Sequence, residues 1–441
     1  MFEFVVMISR YAFILYMVYF LWLSAVYIMD ERGARLADRR SAVSQQRFAI
    51  FYMHITAFFI LAYLPGTNFM FNTNTLLVGA AGIALLCAAH FLVDKMYKKG
   101  CPLMWNSVFF LLDLGFIALY RLNPGLALRQ GLWFLLGLGV IAALPLGLKM
   151  FAGLIGKFTL IYGAVGFGLL ILPFITGERI YGSLNWANIA GFTFQPSELS
   201  KVLFVFFLAG AFQEAESHSR WLMPSAVSAA YVLVLVFQNN LGGALIFFMT
   251  YLSILFMATG KALLSGAIFL TAAMATIPAY HQFAHLRVRV AAWYNPWADI
   301  DRGGYQIAQS LFAIGTWGFG GSGLTMGNPR SIPVVERDFI FSAIAEEFGT
   351  IFAIGVILIF VLLLYRGMHF ALACRQRLHS LLAAGLTALL AFQTFLILGG
   401  VTKLIPLTGV TLPFMSYGGS SVLVSIMIIA FLQWGGEAWT S

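Results

Sequence analysis

The sequence predicts an all-α polytopic membrane protein, and three observations predict it. Of 441 residues, 61% are hydrophobic and 10% are charged, against about 45–50% and about 25% in an ordinary soluble domain. The 26 basic and 17 acidic residues are too few to solvate a surface of this size, and the mean hydropathy of +0.88 excludes disorder. The apolar residues gather in runs of about 20 without alternation, the length of a spanning helix and not the pattern of a β-barrel.

Taken in order, the runs place helices at 4–29, 48–66, 76–93, 104–121, 131–148, 159–177, 197–213, 223–238, 242–260, 262–280, 338–365, 381–399 and 417–434. That makes thirteen. The first contains Arg10 and is read as retained, because nothing like a small-x-small cleavage site follows it. Segments 30–47, 94–103, 149–158, 215–222, 261 and 366–379 hold fifteen Lys and Arg residues, whereas the opposite short loops hold Arg121, Arg129, Arg179 and Lys403. The positive-inside rule places the first set in the cytoplasm. The N-terminus is then external and the C-terminus cytoplasmic.

Two other classes are excluded. Cys87, Cys101 and Cys374 have no metal or redox spacing and are odd in number, so no disulfide framework is expected. The net charge of +9 is spread between apolar runs instead of gathered on a patch, so no nucleic-acid partner is expected.

Residues 281–337 form the one long connection, on the external side, and contain Trp293, Tyr294, Trp297, Tyr305 and Trp317. Long loops are uncommon unless functional or disordered, and the aromatics argue against disorder. Arg287, Arg289, Arg302, Arg330 and Arg337 run against the charge rule. An anionic substrate would account for them, and so would snorkelling to headgroups.

Four segments carry the polar chemistry. In Gln195-Pro196-Ser197-Glu198-Leu199-Ser200-Lys201, the proline suits a first helical turn. Glu198 and Lys201 then share one face, either as a structural ion pair or lining a cavity. In Asn295-Pro296-Trp297-Ala298-Asp299-Ile300-Asp301-Arg302-Gly303-Gly304-Tyr305-Gln306, two carboxylates lie beside aromatics that suit sugar rings. One of them could serve as a general base, or both could simply form turns. Asp338, Ser342, Glu346 and Gly349 repeat at helical spacing, with Asp338 expected to favour the helix start. The adjacent Glu346 and Glu347 call for partners, with Lys201, Arg337 and Lys403 as candidates. Finally, Pro406 to Ser421 interrupts an apolar run with prolines, glycines and serines. Backbone N–H groups opening the last helix could hold a phosphate.

In order, QPSELSK, QNNLGGA at 238–244, NPWADIDRGGYQ, IPVVERDFIFSAIAEEFG at 332–349 and IPLTGVTLPFMSYGGSS at 405–421 resemble the SEDS family (shape, elongation, division and sporulation) of the FtsW/RodA/SpoVE type. The resemblance covers roughly 104–441. It implies a ten-helix core at 101–441 with its large external loop 281–337, and an added N-terminal unit of about three helices at 1–100. Such an extension would pack against a partner helix or anchor the chain in lipid.

What the resemblance implies is a peptidoglycan glycosyltransferase, polymerising lipid II on the outer face of the bacterial plasma membrane in cell elongation, division or sporulation. A class B penicillin-binding transpeptidase is the expected partner. Asp299 falls at the family's loop aspartate, a candidate catalytic base, and Glu198 and Lys201 fall at its paired cavity residues. Arg289, Gln306, Asp338, Glu346, Glu347, Lys403, Ser416 and Ser420 complete the expected substrate-binding set. A divalent cation, Mg²⁺ or Mn²⁺, is a possible cofactor with no ligands assigned. Three positions depart from the family pattern. Asn185 in Gly182-Ser183-Leu184-Asn185-Trp186 stands where an arginine is usual, Asn240 replaces an aspartate, and Ile397 replaces a frequent asparagine. Arg179 could compensate for the missing arginine. The rival functions are a lipid II flippase, which broken helices would suit, and a non-catalytic scaffold for a transpeptidase.

Overall fold

A computed structural model describes residues 2–33, 36–63, 70–151, 153, 155–180, 183–189, 192–213 and 221–438. Three helices come first: α1 (Phe2–Gly33), α2 (Leu36–Ala62) and α3 (Thr73–Met96). The remaining apolar runs give α4 (Pro102–Leu122), α5 (Pro124–Phe151), α6 (Thr159–Thr176), α7 (Pro196–Phe212), α8 (Leu222–Phe237), α9 (Leu241–Thr259) and α10 (Ala262–Gln282). Then follow α11 (Ala284–Tyr294), α12 (Tyr305–Gly315), α13 (Ile340–Phe348), α14 (Thr350–Ala373), α15 (Arg377–Val401) and α16 (Gly419–Ala438). Among the described residues, nine helices are long and apolar enough to cross a membrane, and α8 and most of α16 are shorter apolar helices. The protein is an all-α polytopic membrane protein in its architecture. Each of the thirteen expected runs is helical over most of its length, with 338–365 divided between two helices and 64–66 of the second outside the described residues.

The local chemistry explains where helices start and stop. Pro102 and Pro196 occupy first turns, where a missing N–H costs nothing. Asn72 Oδ1 accepts the N–H groups of Asn74 and Thr75 to open α3, and Gly260 closes α9 at φ 65°.

The centre of the bundle is α4, α7 and α15, all heavily buried, with α15 packed on α7, α9 and α14, and α5 on α16. The first three helices are fastened to this body by polar contacts, which in lipid specify helix packing. Asn106 on α4 donates to Val43 O and Gln46 Oε1, at 3.1 and 3.0 Å, and Gln46 donates on to Ser24 Oγ on α1 at 2.9 Å. His54 on α2 contacts Asp113 Oδ1 on α4 at 2.5 Å and Gly79 O on α3 at 2.9 Å. Because a carbonyl only accepts, His54 Nε2 carries a proton. Gly82 makes room for the ring, since a Cβ there would lie 2.5 Å from His54 Cε1.

Two features differ from the sequence expectation. The run 338–365 is not one helix. It breaks at Gly349, whose φ of 90° only glycine adopts readily. The connection between α6 and α7 holds a three-stranded antiparallel sheet, β1 (Gly177–Ile180), β2 (Ser183–Ile189) and β3 (Phe192–Phe194). Gly177 pairs with Ala187 and Ala187 with Phe194. Ser183 Oγ donates to Asn239 O at 3.0 Å and Leu184 N–H to Gln238 O at 3.0 Å, so the sheet is tied to the α8–α9 junction. The long connection 281–337 is ordered, built from α11, a 3₁₀ turn at Pro296–Asp299, α12 and a second 3₁₀ turn at Pro329–Ser331.

Candidate active site

Where the sheet, the α7 start, α11, the α8–α9 junction and the 407–411 loop converge, they enclose a cavity of about 450 Å³. That lies within the about 300–1,000 Å³ usual for small-ligand sites. Pro196 starts α7 at the cavity wall, so its first two turns place Glu198 and Lys201 on the lining face. Both are buried. Lys201 Nζ donates to Glu198 Oε1 at 2.9 Å and to Gln393 Oε1 on α15 at 2.8 Å. Gln393 Nε2 in turn donates to Thr411 O at 3.0 Å, and Thr411 Oγ1 to Ser421 Oγ at 2.8 Å. Desolvated ions survive in a low-dielectric interior only with such saturated partners.

The opposite wall is cationic. Arg289 Nη1 donates to Thr408 O at 3.0 Å and Leu407 O at 3.3 Å, leaving the rest of its guanidinium beside Gly409. Burial lowers its pKa, and the charge of Asp338 opposes that shift. Arg337 lies 5.7 Å from the ring centres of Trp186 and Tyr417, a cation–π arrangement. Burial raises the Asp338 carboxyl to about 6, although Arg289 and Arg337 pull it down. Lys201, Arg289 and Arg337 thus face Glu198 and Asp338 around one space, and with Lys201 paired to Glu198 the two arginines leave a net positive wall suited to an anionic ligand.

Asp299 is exposed and is not among the residues that line the cavity. Its Oδ2 accepts the N–H of Gly303 at 3.0 Å, and its carbonyl accepts Gly304 N–H at 2.9 Å. Gly303 itself lines the cavity. The carboxylate therefore caps a turn that forms the cavity's edge.

The structure gathers Glu198, Lys201, Arg289, Gln306 and Asp338 in the lining and leaves the other expected residues elsewhere. Glu347 pairs with Arg121 Nε at 3.1 Å, and Glu346 Oε1 accepts Asn328 N–H at 2.7 Å. None of Lys201, Arg337 or Lys403 serves them, because the C-terminal turn of α4 brings Arg121 to them first. Lys403 holds Trp293 Nε1 through its carbonyl at 3.1 Å. Ser416 is buried, donating to Arg337 O and accepting Leu412 N–H at 2.9 Å. Ser420 lies in the first turn of α16. That helix start faces α5 instead of the cavity: Gly418 N–H donates to Gln130 Oε1 at 3.4 Å, and a Cβ at Gly419 would overlap Trp133. Asp338 provides no cap, since α13 begins after Phe339 without a side-chain cap bond. It faces Gly409 and Arg289 across the cavity.

Of the arginines in 281–337, Arg289 and Arg337 reach the cavity, whereas Arg330 caps α4 by donating to Leu122 O at 2.8 Å. Asn185 and Asn240 line the cavity, and the buried atoms Asn185 Oδ1 and Asn240 Nδ2 have no hydrogen-bond partner among the described residues. Asn240 Oδ1 caps α9 through Gly243 N–H at 3.0 Å, so the amide keeps a capping oxygen while giving up the charge. Ile397 is buried in α15, away from the lining. The side chain of Arg179 lies outside the described residues. Gln393 is the residue that sequence reasoning missed. A lone amide inside the apolar α15 run was the available signal.

Residues 102–434 match the family of FtsW, RodA and SpoVE, described as cell cycle proteins. The chain belongs to that family. It is 34% identical to the peptidoglycan glycosyltransferase RodA of Mycobacterium tuberculosis (strain ATCC 25618 / H37Rv) over 389 residues, covering 80% of this chain and 81% of that one. To stage V sporulation protein E of Bacillus subtilis (strain 168) it is 33% identical over 279 residues, 60% of this chain and 75% of the other. Among solved structures, a chain from a peptidoglycan synthase complex that coordinates polymerization and crosslinking superposes with a TM-score of 0.66. The identity there is 27%, covering 77% of this chain and 98% of that one. RodA of Thermus thermophilus gives a TM-score of 0.58 at 25% identity, with 78% and 98% covered.

Proposed function

We infer that this FtsW/RodA/SpoVE protein is a peptidoglycan glycosyltransferase that polymerises lipid II at the outer face of the bacterial plasma membrane. The observation that carries the reading is the cavity in which Lys201, Arg289 and Arg337 meet Glu198 and Asp338, with Gly303 of the turn that Asp299 caps in its lining. Its relatives bear the name peptidoglycan glycosyltransferase.

In this reading the cations hold the pyrophosphate of a growing glycan on its undecaprenyl carrier. Asp299 takes the proton from the 4-hydroxyl of the acceptor's N-acetylglucosamine as that oxygen attacks C1 of the donor's N-acetylmuramic acid. The C1–O bond to pyrophosphate breaks with inversion, and undecaprenyl pyrophosphate leaves with the electron pair. Preorganised cations stabilise the charge developing on the leaving group. Among the described residues, no three His, Cys, Asp or Glu side chains converge as a cation cage. A Mg²⁺ or Mn²⁺ ion carried on the substrate's phosphate oxygens would offset part of their charge. A class B penicillin-binding transpeptidase is the proposed partner, on the strength of the synthase complex named for the similar structure.

The test is purified protein in detergent with labelled lipid II, with and without divalent metal. Glycan polymer supports the enzyme. Its absence, with lipid II scrambled across vesicles by the same preparation, supports the flippase, and absence of both supports a scaffold.

A further inference from the structure

α1 lies outside the family match, yet it reaches the external loop. Arg10 Nη1 donates to Gly321 O at 3.2 Å, and Arg10 Nη2 to Tyr11 OH at 3.0 Å. One turn earlier, Val6 fills the space beside Gly323, where a Cβ would come within 2.7 Å of Val6 Cγ1. The same stretch of loop is held from its other side by α13, with Ser322 N–H and Gly323 N–H donating to Glu346 O and Glu347 O, each at 2.9 Å. Gly321 and Gly323 have φ values of 72° and 97°, which let the chain run this closely between two helices. Below them Phe13 meets Phe348 edge to face at 4.9 Å. The loop is therefore wedged between α1 and the α13–α14 break.

Both flanks of this loop belong to the cavity. Gln306 precedes it, and Arg337 and Asp338 follow it. An arginine placed within an apolar run is costly in lipid and is retained where it has a protein partner.

We propose that Arg10 is a positioning residue and α1 a strut: together they fix loop 318–323 and so hold Arg337 and Asp338 in place against Gln306. The proposal rests on the cavity being the active site. Holding reacting groups within about 1 Å matters to rate far more than to binding.

The experiment uses the full-length protein in detergent as wild type, Arg10→Met and Arg10→Lys. It reads hydrogen–deuterium exchange of the 318–327 amides together with lipid II polymerisation. Arg10→Met removes the donors while leaving an apolar side chain that membrane insertion favours. Expected for it is about tenfold faster exchange at Ser322 and Gly323 and about tenfold lower kcat at unchanged KM. Exchange at 411–418 stays as in wild type, and Arg10→Lys recovers most of both effects. Wild-type exchange and kcat in Arg10→Met would overturn the proposal. Faster exchange in a preparation whose wild type makes no polymer would support the strut while overturning the function. Should Arg10→Met fail to fold, Val6→Ala, which only opens space beside Gly323, is read by the same exchange, and an unchanged rate there overturns the strut.

Discussion

Replacing Lys201 by methionine would test the buried chain at the cavity wall. The side chains of Lys201 and Glu198 are 5% and 9% exposed, and the same ammonium serves both Glu198 Oε1 and Gln393 Oε1. Its loss leaves a carboxylate without a cation and an amide oxygen without a donor. Removing one member of a buried pair costs about 3–5 kcal/mol, and an orphaned polar atom about 1–3 kcal/mol. The two effects overlap because one group serves both, so about 4–6 kcal/mol is expected in all. Glu198→Gln combined with Lys201→Met removes the stranded charge and should regain about 2–3 kcal/mol. Equilibrium unfolding in mixed micelles of rising sodium dodecyl sulfate fraction measures Lys201→Met, Glu198→Gln and the double variant. The double variant should regain stability and remain inactive with lipid II, since the cation is still missing. A loss under about 1 kcal/mol for Lys201→Met, or a double variant as unstable as the two single losses added, would refute the reasoning.

Further outcomes follow from the helix break and from the half-buried Asp338. Gly349→Ala, at φ 90° with a Cβ that would overlap Phe319 O, should destabilise by more than about 1 kcal/mol, read as a lower melting temperature. Asp338 is raised from 3.8 to about 6 by burial. It therefore binds its proton more tightly folded than unfolded, and its contribution is full below about pH 4 and is lost as pH rises through about 6. Melting temperature should fall across that window in wild type and fall less in Asp338→Asn. An identical pH profile in the two proteins would show that the carboxyl is not perturbed.

The fold was largely legible because lipid imposes long apolar runs, and those runs became the helices. The break at Gly349 was hidden by apolar residues on both sides, although a 28-residue run at 338–365 exceeds what one span needs. The small sheet was missed because the alternation that begins at Ser183 breaks at Trp186-Ala187, a weak signal beside twenty-residue runs. Glu198 with Lys201, and Asp299 with Gly303, are separated by three and four positions, so their geometry is local and readable. Arg121 with Glu347 and Lys201 with Gln393 are 226 and 192 positions apart. Only the packed bundle brings them together, which is why the partners expected for Glu346 and Glu347 differ from those found.

The proton-accepting role proposed for Asp299 is tested most directly by the rate at which purified Asp299→Asn polymerises labelled lipid II beside wild type and Asp301→Asn. A general base contributes about 10²–10⁴-fold, so Asp299→Asn should fall by at least about 100-fold at unchanged melting temperature while Asp301→Asn stays close to wild type. Polymer formed by Asp299→Asn at the wild-type rate would contradict the account.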